Sequence, residues 1–459
     1  MGTSTLIGLD KTIPTDITIR LSDPKAVYEE TGCYSVHPDE TVRRVRQFFP
    51  KIGVTHTELI DLDITDNIPI VRVNKICRKP KCHRQAVFWS SPPTPLNNPT
   101  RNCFGKGMTL AQSRASAVME AVERYCGQQF SHNQSFEADY RQVEGYALDP
   151  GVFVFPEPPI KCQTCPEKDI SCLGDLGSLS HEWTWGYSLL YHRPTLVPST
   201  LVYYPYMFKD GRSFIFNDTG GLSAGNTLEE AILQAISEII ERDALHHVLN
   251  SGHLDNLRHV DFRNSRDMHL IQFMQKSIPA DKVFSLLIRN EGLQINVPTF
   301  AAFVCYQIGD NRMYFGGSGT SLNPIMGLLR ALTELEQQKI RQNITFRLDQ
   351  DFLVCHNGDQ MSQGIHLSDI PNRSTGFIGQ DIITYLNGLS KYCTDVVVVN
   401  LTHPEIGIPV VRVIIPQLIA YSGSDILESV FLKIMNVHED ENIPISENGR
   451  YSEEQPRSI

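Results

Sequence analysis

The chain has no long apolar run. None of its hydrophobic stretches approaches the ~20 residues that a membrane-spanning helix needs, so a membrane partner is not expected. It also lacks a surplus of positive charge. Lys and Arg total 41 against 52 Asp and Glu, a net charge of −11, and no basic run or aromatic-interleaved basic patch offsets it. That balance argues against binding nucleic acid. The first residues, Met1 to Gly8, have no basic segment followed by an apolar one, and Leu6 stands where a myristoylation signal wants Ser or Thr. The cytoplasm is the expected location. A disulfide framework is missing too, because the 11 cysteines are odd in number and scattered over a long chain. Two groups of them cluster, Cys77-x4-Cys82-His83 and Cys162-x2-Cys165-x6-Cys172. The second could close a structural zinc site with further thiolates, although reduced loop thiols explain its looser spacing equally well. Walker A, His-Glu-x-x-His and strand-borne Gly-x-Gly-x-x-Gly patterns are absent, which removes P-loop NTPases, zincins and dinucleotide-binding enzymes from the first rank.

What is present is an unusual helix, written twice. Ser116-x3-Glu120-x2-Glu123-Arg124 and Gln234-x3-Glu238-x2-Glu241-Arg242 each place polar groups at i, i+4 and i+7 among mostly apolar residues. At 3.6 residues per turn those positions make one narrow stripe. A helix apolar around the rest of its circumference is a core helix, so the stripe faces inward. Arg330-x3-Glu334-x2-Gln337 repeats the spacing, led by a cation. One such stripe alone reads as a surface helix with an ordinary salt bridge; three with apolar flanks read as a buried functional cluster. Two like charges ~4 Å apart at an effective dielectric near 20 repel by about 4 kcal/mol. Glu120, Glu123, Glu238 and Glu241 therefore call for a cation, and hard oxygen ligands favour Mg2+ over Zn2+.

Coarser patterns place these helices. Residues 38 to 50 suggest a short helix, with strands near 53–55 and 68–73. Further strands are expected at 183–190, 195–202, 213–216, 283–288, 299–304, 313–315 and 396–401, with helices near 265–277, 325–342 and 379–391. The fold class is α/β, with mixed sheets and helices. Residues 1–100 read as an N-terminal α/β region and linker, 101–425 as the catalytic domain and 426–459 as an acidic polar tail. Gly105-Lys106-Gly107, before the first stripe, offers backbone room and a point charge for phosphate. Asn226 and Thr227 can cap the second stripe helix, and Thr227-x-x-Glu230 fits a capping box. Carboxylates for Mg2+, a lysine and a helix N-terminus together suggest a nucleoside triphosphate. His246, His247 and Asp243 read as structural residues near that helix's end.

In this order the motifs resemble the YcaO family, ATP-dependent enzymes that modify peptide backbone amides. The resemblance spans roughly residues 50–420. It implies a single large catalytic domain with an N-terminal α/β extension, binding ATP and Mg2+. It further implies Glu120, Glu123, Glu238 and Glu241 as metal ligands, and Lys106, Ser116, Asn226, Glu230, Gln234 and Arg242 as nucleotide contacts. Arg330 and Glu334 become the catalytic candidates. The implied chemistry is addition to a peptide carbonyl, O-phosphorylation and expulsion of phosphate. A neighbouring Cys, Ser or Thr gives an azoline, external sulfide a thioamide, and the peptide's amine a macroamidine. The chain departs from azoline-forming members in ending Ser452 to Ile459 with one proline and in showing no fused E1-like domain, and Lys339 stands where the family often has Arg. The stretches Asp61 to Ile70 and Leu401 to Val410 are similar to members that work beside a TfuA protein. Thioamide formation is thus the favoured expectation, ahead of azoline formation with a separate docking partner and of a noncatalytic scaffold. Expected partners are a peptide or protein substrate and a TfuA-like or E1-like protein, with a homodimer left open.

Overall fold

The structure is a computed structural model that describes residues 5–6, 11–14, 17–27, 34–60, 70–76, 100–130, 132–133, 135–153, 180–204, 206, 218–250, 257–277, 283–288, 297–308, 311–341, 352–353, 364–420 and 426–434. The chain forms a mixed α/β fold. The described helices are α1 (Pro38–Arg46), α2 (Phe49–Ile52), α3 (Leu110–Cys126), α4 (Tyr140–Val143), α5 (Ser199–Val202), α6 (Leu228–Asn250), α7 (Met268–Lys276), α8 (Pro324–Arg341), α9 (Ile378–Leu389) and α10 (Ile426–Ile434).

Four sheets accompany them. A hairpin joins β1 (Thr5–Leu6) to β2 (Lys11–Thr12), and β3 (Val54–Ile60), β4 (Ile70–Ile76) and β5 (Thr100–Gly105) form an antiparallel three-stranded sheet. The middle sheet runs β6 (Ser135–Asp139), β7 (Ser180–Ser188), β16 (Val397–Asn400), β17 (Val410–Ile414), β9 (Leu222–Ala224), with β8 (Arg193–Pro198) also on β7. The last runs β13 (Asn311–Thr320), β12 (Thr299–Ile308), β11 (Phe284–Ile288), β10 (Leu257–Asp261), β15 (Ile365–His366), with β14 (Phe352–Leu353) on β12.

Apolar alternation explains the layering. On β16 and β17, Val397, Val399, Val410 and Ile414 enter one core with α3, whereas Val398, Val411 and Val413 enter another with α6 and α9. A strand buried on both faces reads as a continuous apolar run, as these do. On β12, Phe300, Ala302 and Val304 pack towards α8, and Ala301 and Phe303 towards the C-terminal half of α6 and α10. Helix α6 is therefore covered on both sides, which is why its sequence is apolar almost all round.

Several expectations shift. The strand expected to reach Val202 stops at Pro198, and Ser199–Val202 turns into α5. The polar tail expected from 426 begins as helix α10, because Val430, Phe431 and Ile434 are buried against α6 and β12. Strand β5 begins at the boundary placed at 100/101 and pairs with β4, so one sheet joins the two stretches. Residues 61–69, 77–99, 154–179 and 213–216 lie outside the described set, including Cys77, Cys82, His83, Cys162, Cys165 and Cys172, and so does the side chain of Lys339.

Candidate active site

Three local devices aim the stripes. Helix α3 starts with a capping box in which Thr109 Oγ1 accepts from Gln112 N and Gln112 Oε1 accepts from Thr109 N. It then lies flush on β5. A Cβ at Gly105 would stand 1.9 Å from Ser113 O, and one at Gly107 2.5 Å from Gln112 Cβ. The two glycines thus make room for the helix backbone, rather than for a ligand as the tripeptide alone suggests. Gly317 and Gly319 do the same for α8, where added Cβ atoms would meet Ala331 O at 2.1 Å and Gly327 O at 2.2 Å. At α6, Thr227 Oγ1 accepts from Glu230 N (3.2 Å), while Glu230 Oε2 accepts from Asn226 N (2.7 Å) and Asn226 Nδ2 (3.0 Å).

The result is one cavity of about 390 Å³ between α3, α6 and α8, walled by the edge strands β5, β9 and β13. All twelve sequence-predicted site residues line it: Lys106, Ser116, Glu120, Glu123, Asn226, Glu230, Gln234, Glu238, Glu241, Arg242, Arg330 and Glu334. Their partners divide them. Glu120 accepts from Phe104 N (2.8 Å) and from Arg124 (3.4 Å), and Glu123 stands 3.8 Å from Arg124. Glu238 accepts from Gly221 N (3.3 Å) and faces Arg242 at 3.7 Å, and Glu241 accepts from Ser318 Oγ at 2.7 Å. Lys106 Nζ donates to Glu334 at 3.0 Å, and Arg330 donates to Thr320 O at 3.3 Å. Ser116 and Gln234 line the cavity without a hydrogen bond to another described side chain.

Burial sets the electrostatics. It pushes the Glu123 carboxyl up to about 8, and it raises Glu238 and Glu241 as well, against the pull of the neighbouring arginines. The Glu123 side chain, which lines the cavity, keeps 17% of its surface. Burial also acts on Glu334, but Lys106 and Arg242 overcome it and hold that carboxyl below its usual range. Burial opposes charge on Arg124 and Arg242, yet the surrounding glutamates keep both above the ordinary arginine value.

Among the described residues, no three carboxylate, His or Cys side chains are gathered closely enough to form a metal cage. The four glutamates share a cavity and take arginine, backbone or hydroxyl partners instead, which separates like charges. The donor set still fits a cation with a phosphate. Three carboxylates are undercompensated, and among the described residues the buried Arg242 Nε has no hydrogen-bond partner. Cys162, Cys165 and Cys172, where a structural zinc is the alternative to reduced loop thiols, lie outside the described residues, and no described group supports that alternative. Asp243 is structural as expected, accepting from Ile419 N at 3.0 Å.

The sequence reading missed three neighbours. Ser318 enters from β13, and Asp218 pairs with the buried Arg412, whose Nη1 donates to Asp218 O at 2.9 Å behind Glu123 and Glu238. No motif spacing links them, since each comes from a different strand or turn. One Gly-x-Ser-x-Gly does occur at 221–225, but Ser223 is buried within β9 opposite Val411, not exposed on a nucleophile elbow.

A family model described as YcaO cyclodehydratase, ATP- and Mg2+-binding, matches residues 104–419. The chain belongs to the YcaO family. That family comprises ATP- and Mg2+-binding, cyclodehydratase-type enzymes of peptide modification. An uncharacterized protein of Methanothermobacter thermautotrophicus is 30% identical over 406 residues, 84% of this chain and 95% of that protein. A second relative, described as an uncharacterized protein in the tfuA 3′ region of Rhizobium leguminosarum bv. trifolii, is 25% identical across 84% of this chain and 88% of its own length. Among solved structures, a heterocyclase in complex with substrate and cofactor superposes with a TM-score of 0.67 at 25% identity over 87% of this chain. The chain spans 54% of that longer protein. YcaO from Methanopyrus kandleri bound with AMPPCP and Mg2+ matches with a TM-score of 0.60, covering 86% of this chain and 94% of that one; at 21% identity the likeness is one of fold. Among the described residues no helix is long and apolar enough to cross a membrane.

Proposed function

We propose that the protein uses ATP and Mg2+ to activate a peptide backbone amide through its oxygen and passes the activated carbon to externally supplied sulfide, giving a thioamide. The observation that carries the ATP-dependent part is the cavity that Glu123, Glu238 and Glu241, whose carboxyls burial raises, line together with Lys106, Arg242 and Arg330. Bound ATP with Mg2+ supplies the phosphoryl group that makes the amide oxygen a leaving group. Glu120, Glu123, Glu238 and Glu241 would hold the cation, for which Glu123 would have to be ionised. Lys106, Ser116, Asn226, Gln234 and Arg242 bind the nucleotide, with Glu230 setting the Asn226 carboxamide. Arg330 and Glu334 serve the reacting centre, where Lys106 keeps Glu334 ionised. In balance, amide, hydrosulfide and ATP give thioamide, ADP and phosphate.

The sulfide reading draws on the relative in the tfuA 3′ region, which supports a TfuA-like partner. A cyclodehydratase reading, with a separate E1-like docking protein, draws on the 25% identity to the heterocyclase. The proposal includes a cytoplasmic catalytic unit at 101–425 behind the N-terminal region. Mass spectrometry of a candidate peptide incubated with protein, ATP, Mg2+ and sulfide separates the readings. Exchange of one oxygen for sulfur is expected; loss of one water without sulfide would replace thioamidation by cyclodehydration. Calorimetry showing no nucleotide binding with or without Mg2+ would defeat both and leave a scaffold.

A further inference from the structure

The cavity has a wall that the family match does not reach. Tyr34, Val36, Pro38 and Thr41 line it from the N-terminal side, outside residues 104–419. The segment leading to them is bonded to the start of α6 at three points. Ser22 N and Oγ donate to Glu229 Oε1 at 2.7 and 2.6 Å, Ser35 N donates to Glu230 Oε1, and Thr41 Oγ1 donates to Asn226 Oδ1 at 2.8 Å. The same segment crosses the start of α9, where Ala26 N donates to Gly376 O (2.9 Å) and Ile378 N donates to Pro24 O (3.0 Å).

We propose that residues 34–41 are a working wall of the nucleotide cavity and that Thr41 is a positioning residue, fixing the Asn226 carboxamide so that its second Nδ2 hydrogen is presented to the ligand. This rests on the nucleotide reading above. Thr41 is 3% exposed, so its hydroxyl is held in place by the packing of α1. The carboxamide has only one tolerable orientation. Glu230 Oε2, 3.0 Å away, requires the NH2 side, because turning the amide over would set its oxygen against a carboxylate. Oδ1 must then face Thr41, and the hydroxyl must donate. One Nδ2 hydrogen is used by Glu230, and the other has no acceptor among the described residues although Asn226 lines the cavity. Removing the hydroxyl takes away the donor that Thr41 gives Oδ1 and frees the carboxamide to turn.

The test titrates Mg2+ with a nonhydrolysable ATP analogue into the full chain, its Thr41→Val and its Thr41→Ser variants, and records the melting temperature of each unliganded protein. Thr41→Val should weaken binding about 5- to 10-fold, the ratio that loss of one net hydrogen bond produces, and Thr41→Ser should restore it to within about twofold. A merely structural role would lower the melting temperature without that rescue pattern. Binding by Thr41→Val equal to wild type overturns the proposal, and so does a serine variant as weak as the valine one, since the methyl group would then be what matters. If Thr41→Val does not fold, Thr41→Cys, a weak donor, takes its place in the same comparison. Wild-type protein that binds no nucleotide sinks the nucleotide reading itself, whereas failure among the variants alone sinks only the role of Thr41.

Discussion

Loading the cavity should release protons, and the number should depend on pH in a way fixed by Glu123. Burial holds that carboxyl up to about 8, so at pH 7 it is about nine-tenths protonated in the unliganded protein. A carboxylate that binds a cation must be ionised. Binding of Mg2+ with a nonhydrolysable ATP analogue at pH 7 should therefore release about 0.9 proton from Glu123. At pH 9 the Glu123 share should fall to about one-tenth of a proton. Calorimetry in buffers of different ionisation enthalpy reads the count as the slope of observed heat against buffer enthalpy. The linkage has a matching stability signature. A carboxyl raised in the folded state contributes stability that is complete below its unfolded value, near 4.5, and is lost as pH rises through about 8. The unliganded protein should thus weaken across that window while ligand affinity grows. Release that is the same at pH 7 and pH 9, with binding intact at both, would refute the placing of Glu123 beside the bound cation.

Glu120→Gln and Glu241→Gln should each abolish metal-dependent nucleotide binding while leaving the unliganded protein folded, with a melting temperature equal to or above wild type. Phe104 N and Ser318 Oγ keep an acceptor in the amide, and one of several like charges is gone; outright unfolding of either variant would make the carboxylates structural. Lys106→Ala should weaken nucleotide binding and also move acid unfolding to higher pH. The depressed Glu334 carboxyl contributes stability that is present above the usual carboxylate range and lost as pH falls through its folded value, and without Lys106 that loss begins sooner; an unchanged acid midpoint would argue that the ion pair contributes nothing.

Much of the cavity was legible because its polar residues repeat at i, i+4 and i+7 on helices that are otherwise apolar. Helical periodicity carries that signal within a single segment. The handling of charge was less legible. Ser318, Asp218 and Arg412 come from a strand, a turn and a second strand, and nothing local in the sequence ties them to the stripes. Strand β17 was hidden for another reason: Val410 to Ile415 is buried on both faces, so it lacks the alternation that marks a half-exposed strand. Helix α10 lay next to a polar, acidic stretch whose composition masked nine helical residues. Gly105 and Gly107 were read as room for a ligand because sequence does not tell whether the close neighbour of a glycine is a phosphate or another helix.

The bonds that tie the N-terminal segment to α9 bear on how the chain is made. Gln380 N donates to Asp23 Oδ1 across 357 residues, and Ser22 meets Glu229 across 207. At 5–20 residues per second a ribosome needs roughly 20 to 70 seconds to supply the last of these partners after the first has emerged. Until α9 has been made, Ile19 and Ala26, buried in the finished protein among α6 and α9, have only part of their core to enter. The segment can complete its docking only after the start of α9 has been made. Closing so long a loop is entropically expensive and slow, so the wall that Tyr34, Val36, Pro38 and Thr41 give the cavity should be completed late in folding, well after those residues have been synthesised.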